Sequence, residues 1–335
     1  MTRPLARRAL LALAAALLAL PALAEPVTVG VLRFTSHAGN FAAYENGHFA
    51  DEGLEVEFAY FQAAGPMAVA IASGDIDFGV TAITGALINL SEKGAVKVIG
   101  GALTEEPGVS GQKVLVSNAA YEDGVDSPEK LGGRSFAITQ TGSSFHYMIS
   151  QIAPQAGFDL ADTRLVPLQK VGAIIGALKS GQVDSWTIVP HIAAALDGSG
   201  AAKIIGEVAD YIPGYQVTTV FTAAAMVEEN PDTVAAFLRG YSRGVADYNA
   251  ALVDRTEGDE GVEAMTRLIH KYVYTDRPYE KAAPSIQAGA MRLQPDARLN
   301  MASVRDQLDW FKAEGLVADT ITLDMLVDAR FVDAF

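Results

Sequence analysis

The chain has 335 residues and a formal net charge of −15; half of the residues are hydrophobic and 19% are charged. That length suits two lobes of ~150 residues, and the composition is that of a folded globule rather than a disordered chain. So acidic a surface repels nucleic acid and anionic lipid. There is no cysteine, which excludes disulfides, thiolate catalysis, cysteine-bound metals and a lipid-modified cysteine.

The first segment, "MTRPLARRALLALAAALLALPALA", reads as an export signal. It has a basic start (Arg3, Arg7, Arg8), an apolar run from Ala9 to Leu20, and Ala22-Leu23-Ala24 as a small-x-small cleavage site. The run is too short and wrongly flanked to span a bilayer. Residues 1–24 are therefore expected to be removed, leaving a periplasmic protein from Glu25 with no lipid anchor.

From there the elements come in chain order and then come again. Short apolar strands are expected at Val27–Leu32, Leu54–Tyr60, Ile76–Val80 and Val96–Leu103. A second set follows at Ser135–Thr139, Arg164–Leu168, Val183–Ile188 and Ala202–Val208. "FQAAGPMAVAIASGDIDFG" (Phe61–Gly79) lies over "LQKVGAIIGALKSGQVDSW" (Leu168–Trp186) at a shift of 107, with six of nineteen positions identical, among them Gln62/Gln169, Gly65/Gly172 and Asp77/Asp184. "KVIGGA" then pairs with "KIIGEV", and "GQKVLVSNAA" from Gly111 with "GYQVTTVFTA" from Gly214. Agreement in order, spacing and pattern makes this an internal duplication. Strands alternating with helices predict a parallel sheet in each copy, and the repeated Ser-Gly predicts a left-handed cap closing each second helix. Beyond the repeats, Asn230 and Pro231 open a helix with apolar Val234, Phe237, Leu238, Tyr241 and Val245 at helical spacing, and "VRDQLDWFKAEGLV" ends another at Gly315. These tail helices read as packing elements without chemistry.

In open parallel sheets, ligands bind beyond the carboxyl ends of the strands. Two like lobes facing one another thus make one cleft from two rims. The quoted repeats, together with "AYENGHFADEGLEVEF" (Ala43–Phe58), "SPEKLGGRSFAITQTGSS" (Ser127–Ser144) and "ENPDTVAAFLRGYSRGVADY" (Glu229–Tyr248), resemble the nitrate/sulfonate/taurine-type solute-binding proteins of ABC importers, including their thiamine-pyrimidine-precursor relatives. The resemblance implies an α/β, two-lobed periplasmic-binding-protein fold of type II, each lobe a mainly parallel sheet with flanking helices, joined by two crossover hinges. On that pattern, residues 25–107 and 213–335 form lobe 1, and 108–212 form lobe 2. It implies a monomer that captures a small solute and hands it to a membrane permease with its ATPase. No cofactor is implied.

The rim loops supply the candidate contacts. After the first strands these are Phe34, Thr35, His37 and Phe41 in one copy, and Thr141, Gly142, Ser143, Ser144 and His146 in the other. "QTGSS" turns from strand to helix with glycine and hydroxyls, which suits an anionic head group but also suits ordinary capping. Gln62 and Gly65 follow the second strand; Thr81 and Thr84 follow the third. Their counterparts in the second copy are Trp186, Pro190 and His191, with Trp186 expected to stack on a planar ligand. Arg33 and Lys170 are the strong cations of the rim loops. The histidines lack metal-site spacing, so no metal is expected. Hydroxyl, amide, imidazole and aromatic groups without carboxylates favour a small organic anion or a polar aromatic or heterocycle. A ligand-presenting sensor subunit would use the same cleft. An enzyme related to pyrimidine-precursor synthases would need a cysteine, and a hydrolase would need a Gly-x-Ser-x-Gly elbow; the chain has neither.

Overall fold

The computed structural model describes residues 26–335; the export-signal reading of residues 1–24 and the expected start at Glu25 lie outside them. Ten strands form two five-stranded sheets. In chain order they are β1 (Val27–Val31), β2 (Val56–Tyr60), β3 (Phe78–Ala82), β4 (Val96–Gly101), β5 (Lys113–Val116), β6 (Ser135–Ile138), β7 (Arg164–Pro167), β8 (Ser185–Ile188), β9 (Lys203–Glu207) and β10 (Thr218–Ala223). The first sheet has the order β2-β1-β3-β10-β4 and the second β7-β6-β8-β5-β9. The duplication is therefore carried through to topology, strand for strand.

Both sheets are mixed rather than wholly parallel. β1 pairs in parallel with β2 and β3, while β10 runs antiparallel between β3 and β4. In the second sheet β5 does the same between β8 and β9. These inserted strands are the "GQKVLV" and "GYQVTT" segments, and each leaves the sheet that precedes it in sequence to complete the other one. The connecting stretches run side by side: Val217 N donates to Leu103 O and Glu105 N to Tyr215 O, both at 2.9 Å. Two chain crossings pinned together in this way make a narrow hinge between two bodies.

Apolar alternation in the strands builds a helix layer on each face of the first sheet. Val29, Val31, Phe78 and Val80 face the helices Ala38–Glu45 and Pro231–Tyr248; Val96, Val98 and Phe221 face Ala64–Ser73, Gly85–Glu92 and Met301–Ala313. The helix Ala64–Ser73 ends on Gly74 at φ 79°, and Gly181 (φ 70°) follows the helix Val171–Lys179. The left-handed region costs glycine little, which explains the repeated Ser-Gly.

The repeated aspartate has a structural job. Thr28 N donates to Asp77 Oδ2 at 2.7 Å, tying β1 to the start of β3. In the second copy Ser135 donates to Asp184 Oδ2 from both N and Oγ, at 2.8 and 2.7 Å. Both staples sit at the amino ends of the strands, away from the rims. Hydrogen bonds to a carboxylate contribute about 1.5–3 kcal/mol each. Asp184→Ala should thus lower stability by about 2–3 kcal/mol in urea unfolding without altering ligand affinity; a loss below about 0.5 kcal/mol would contradict the staple.

Candidate functional site

A cavity lies between the two rims, at the carboxyl ends of the parallel strands. It holds about 60 Å³ of open space, room for a few waters or one small solute. Much of its wall is apolar: Phe34, Leu103 and Val217 on one side, Phe145, Val171 and Val189 on the other. Among the described residues no lysine, arginine, aspartate or glutamate lines it.

Polarity comes instead from helix starts and from neutral side chains of the strands and loops, among them Gln112, Gln140 and Thr218. Ser143 is the residue before the helix Ser144–Gln155, where a hydroxyl ordinarily caps the first amides. Here its Oγ makes no capping bond and is buried without a partner, in a side chain that lines the cavity. The first amides of that twelve-residue helix have no intrahelical acceptor, and the helix dipole adds partial positive charge at the same point. Across the gap Thr84 Oγ1 accepts from Leu87 N at 3.2 Å, which leaves its hydroxyl proton for the cavity. Residues opening the helices Ala64–Ser73, Val171–Lys179 and Pro190–Gly198 also reach the wall, through Gly65, Val171 and Val189.

His37 is the one titratable side chain among the described lining residues. Burial pushes its pKa down to about 3, so it is neutral. Leu32 N donates to its Nδ1 at 3.5 Å, so the ring proton sits on Nε2. The site thus offers N–H and O–H donors, together with the Gln112 and Gln140 amides that can donate or accept, and carries no formal charge among the described residues. It suits an anionic or acceptor-rich head with an apolar body.

The expected contacts divide clearly. Phe34, His37, Gly65, Thr81, Thr84, Ser143 and Ser144 line the cavity. Phe41 does not; it is fully buried and stacks on Tyr272 at 4.3 Å inside the first lobe's core. Trp186 is fully buried beneath Phe145, at 5.5 Å, and it is Phe145 that meets the cavity. Gln62 and Thr141 are exposed, and Pro190 is buried at the start of its helix. Gly142 and His146 hold the loop itself: Gly142 N donates to His146 Nδ1 at 3.2 Å. Thr35 and His191 meet one another on the seam beside the cavity, at 3.0 Å. The two rim cations point elsewhere: Arg33 lies over the Tyr60 ring and donates to Tyr272 O, and Lys170 is absent from the wall.

Sequence reasoning missed the part the tail plays. Gly85 N donates to Gly142 O across the gap at 3.0 Å. Beside it, Tyr147 Oη donates to Asp306 Oδ2 at 2.5 Å, and Trp310 sits edge-on to both His146 and Tyr147. On the other flank Tyr274 Oη donates to His191 O at 2.9 Å. The tail segments therefore join the two halves as well as covering the first sheet. Of the chain's two tryptophans, Trp310 spans the seam and Trp186 is sealed in one lobe. A fluorescence change on ligand binding should therefore survive Trp186→Phe and vanish in Trp310→Phe; the reverse pattern would contradict this placement.

A family model described as "NMT1/THI5 like" matches residues 34–251, well over half of the chain. A curated relative from Bacillus subtilis (strain 168), named for binding aliphatic sulfonates, is 28% identical over 211 residues. That match covers 61% of this chain and 60% of the relative, so the chain matches three-fifths of the relative's length. Among solved structures, the alkanesulfonate-binding protein SsuA from Xanthomonas axonopodis pv. citri bound to MOPS aligns with a TM-score of 0.72 at 16% identity, over 92% of this chain and 99% of that one. The desulfurization enzyme DSZB aligns with a TM-score of 0.61 at 15% identity, over 92% and 97%. Together with the duplicated sheets and the cavity between them, the family match places the chain: it belongs to the NMT1/THI5-like family and has the two-lobed α/β fold of the periplasmic binding proteins.

Proposed function

We propose that this protein is the extracytoplasmic solute-binding component of an ABC importer. It would capture one small organic anion between its lobes and present the closed form to a membrane permease with its ATPase. The lobes are taken as residues 25–107 with 213–335, and 108–212, acting as a monomer. The observation that carries this reading is the cavity itself, enclosed by both rims and supplied with helix amides, the partnerless Ser143 hydroxyl and the His37 Nε2–H. The sulfonate-binding relative and the alkanesulfonate-binding structure point the same way. A sulfonate or similar head group would sit at Ser143 and Ser144, with its carbon body between Phe34 and Phe145.

Catalysis is the second reading, because a desulfurization enzyme shares the fold. We favour capture: the one titratable group lining the described cavity, His37, is held neutral, and the chain contains no cysteine nucleophile. A thermal-shift screen over alkyl- and arylsulfonates, aromatic carboxylates, pyrimidines and nitrate tests the proposal. A ligand at a hundred times its Kd adds about 2.7 kcal/mol of stability. A sulfonate or carboxylate hit recovered unchanged after incubation supports capture. A hit that is turned over supports the enzyme, and stabilisation by pyrimidines alone removes the anion.

A further inference from the structure

Three residues from separate segments meet on the seam beside the cavity. They are Thr35 after β1, His191 in the first turn of the helix Pro190–Gly198, and Gly289 at the end of the helix Tyr279–Ala288. Thr35 Oγ1 is 2.8 Å from Gly289 O and 3.0 Å from His191 Nδ1. A carbonyl only accepts, so the single hydroxyl proton goes to Gly289, and His191 must donate from Nδ1. That fixes the neutral imidazole and leaves Nε2 as a bare lone pair, buried without a partner.

On the proposed division of the chain, the groups that cover this ring belong to the other lobe: Phe34 at 5.5 Å, Tyr274 at 5.7 Å, and Gly289 against its Cβ. Separating the lobes would therefore return His191 to water. In the closed arrangement a second ring proton would sit on Nε2, which has no acceptor. The charged groups lining the groove beside it are of the wrong sign to help. Arg33, Arg277 and Lys179 line the groove that His191 shares, and among the described residues no carboxylate does. Tyr274 has given its hydroxyl to His191 O, with Asp276 beside it; His37 lies on the cavity side.

We propose that His191 is a proton-controlled latch on lobe closure, a positioning residue whose neutral form alone fits the closed seam. The proposal rests on the reading that the two lobes open and close around a solute. Burial, with His37 adding to it, pushes His191 down to about 3 when closed, whereas an exposed imidazole titrates near ~6.5. Because the closed-form pKa is the lowered one, closure is at full strength above ~6.5. It weakens about tenfold per pH unit below that, as the open form takes up a proton that the closed form refuses. His37 titrates with the same sign. Glu105, buried in the crossover and pushed up to about 7, acts with the opposite sign. Only a comparison with a His191 variant isolates the latch.

His191→Asn keeps an N–H donor for Thr35 and cannot titrate. The chain has no cysteine, so a Gly85→Cys/Gly142→Cys pair, whose backbones touch across the gap at 3.0 Å, can trap the closed form as a disulfide. Trapping rates with diamide are compared between the His191 and His191→Asn backgrounds, and their ratio cancels the pH dependence of thiol chemistry. The ratio should fall about tenfold between pH 8 and pH 5.5; a ratio constant within about twofold overturns the latch. If both backgrounds fold by circular dichroism, neither cross-links, and solution scattering of the chain without added cysteines never reaches the dimensions of the closed form, closure itself is wrong, and the capture reading falls with it. Hydrogen exchange in the chain without added cysteines gives an independent answer. Residues 190–198 and 271–278 should lose protection at pH 5.5 relative to the His191→Asn variant, and equal protection in the two overturns the proposal.

Discussion

Replacing Ser143 by Asp is expected to abolish capture of an anionic solute while leaving the fold at least as stable. Aspartate is among the best residues at the position before a helix, and Ser143 makes no capping bond that would be lost. A carboxylate there also favours the positive end of the helix dipole, so the thermal midpoint should hold or rise. The same charge would stand in a buried cavity where, among the described residues, no cation lines the wall to offset it. Like charges brought together in such a place cost several kcal/mol, so affinity for a sulfonate should fall by at least about 100-fold. Calorimetric titration of wild type and variant reads the loss, and Ser143→Asn controls for shape. A change below about tenfold would mean that the solute's charge is held elsewhere, or that the solute is neutral.

Gly289→Ala should weaken binding about 10–100-fold through closure rather than through contact with the solute. The backbone at Gly289 has φ −89°, ordinary for alanine, so the substitution carries no local strain. Its Cβ would lie 2.4 Å from His191 Cβ and 3.0 Å from His191 Cα. Neither atom can rotate away, because both are fixed to the backbone of the helix Pro190–Gly198. Thr35 Oγ1, at 2.9 Å, can turn about its own side-chain bond. The strain is relieved by separating the lobes, so unfolding stability without ligand should be unchanged. Solution scattering should show the variant remaining expanded at ligand concentrations that compact the wild type. Wild-type affinity in the variant would contradict the closed seam as drawn.

Much of the fold was legible because duplication doubles every signal. The eight expected strands all form, with ends displaced by at most a few residues. The two inserted strands were not legible as strands: β5 (KVLV) and β10 (TTVFTA) are short and mix lysine or threonine with apolar residues, so neither their place nor their antiparallel direction shows in the local pattern. The site was legible at the level of loops and less so at the level of side chains. "QTGSS" reaches the cavity through Ser143 and Ser144 because those residues open a helix aimed at it. Trp186 fails to reach because β8 continues to Ile188. On a pleated strand Ile188 occupies the same face one step further out, and it is Ile188 that lines the wall. Phe41 belongs to the buried face of its helix, a fate shared by most phenylalanines. Arg33 was drawn away by the Tyr60 ring, a partner 27 positions along the chain that no local pattern announces. The tail's role at the seam was invisible for the same reason. The Tyr147–Asp306 bond joins residues 159 positions apart.

The most direct measurement is a crystal structure of the protein with the tightest-binding sulfonate from the screen. The account predicts one molecule enclosed between the sheets, its oxygens on the Ser143–Ser144 amides and hydroxyls and its carbon body against Phe34 and Phe145. A sulfonate resting on the outside of a single lobe, with the cavity between the rims unfilled, would contradict it.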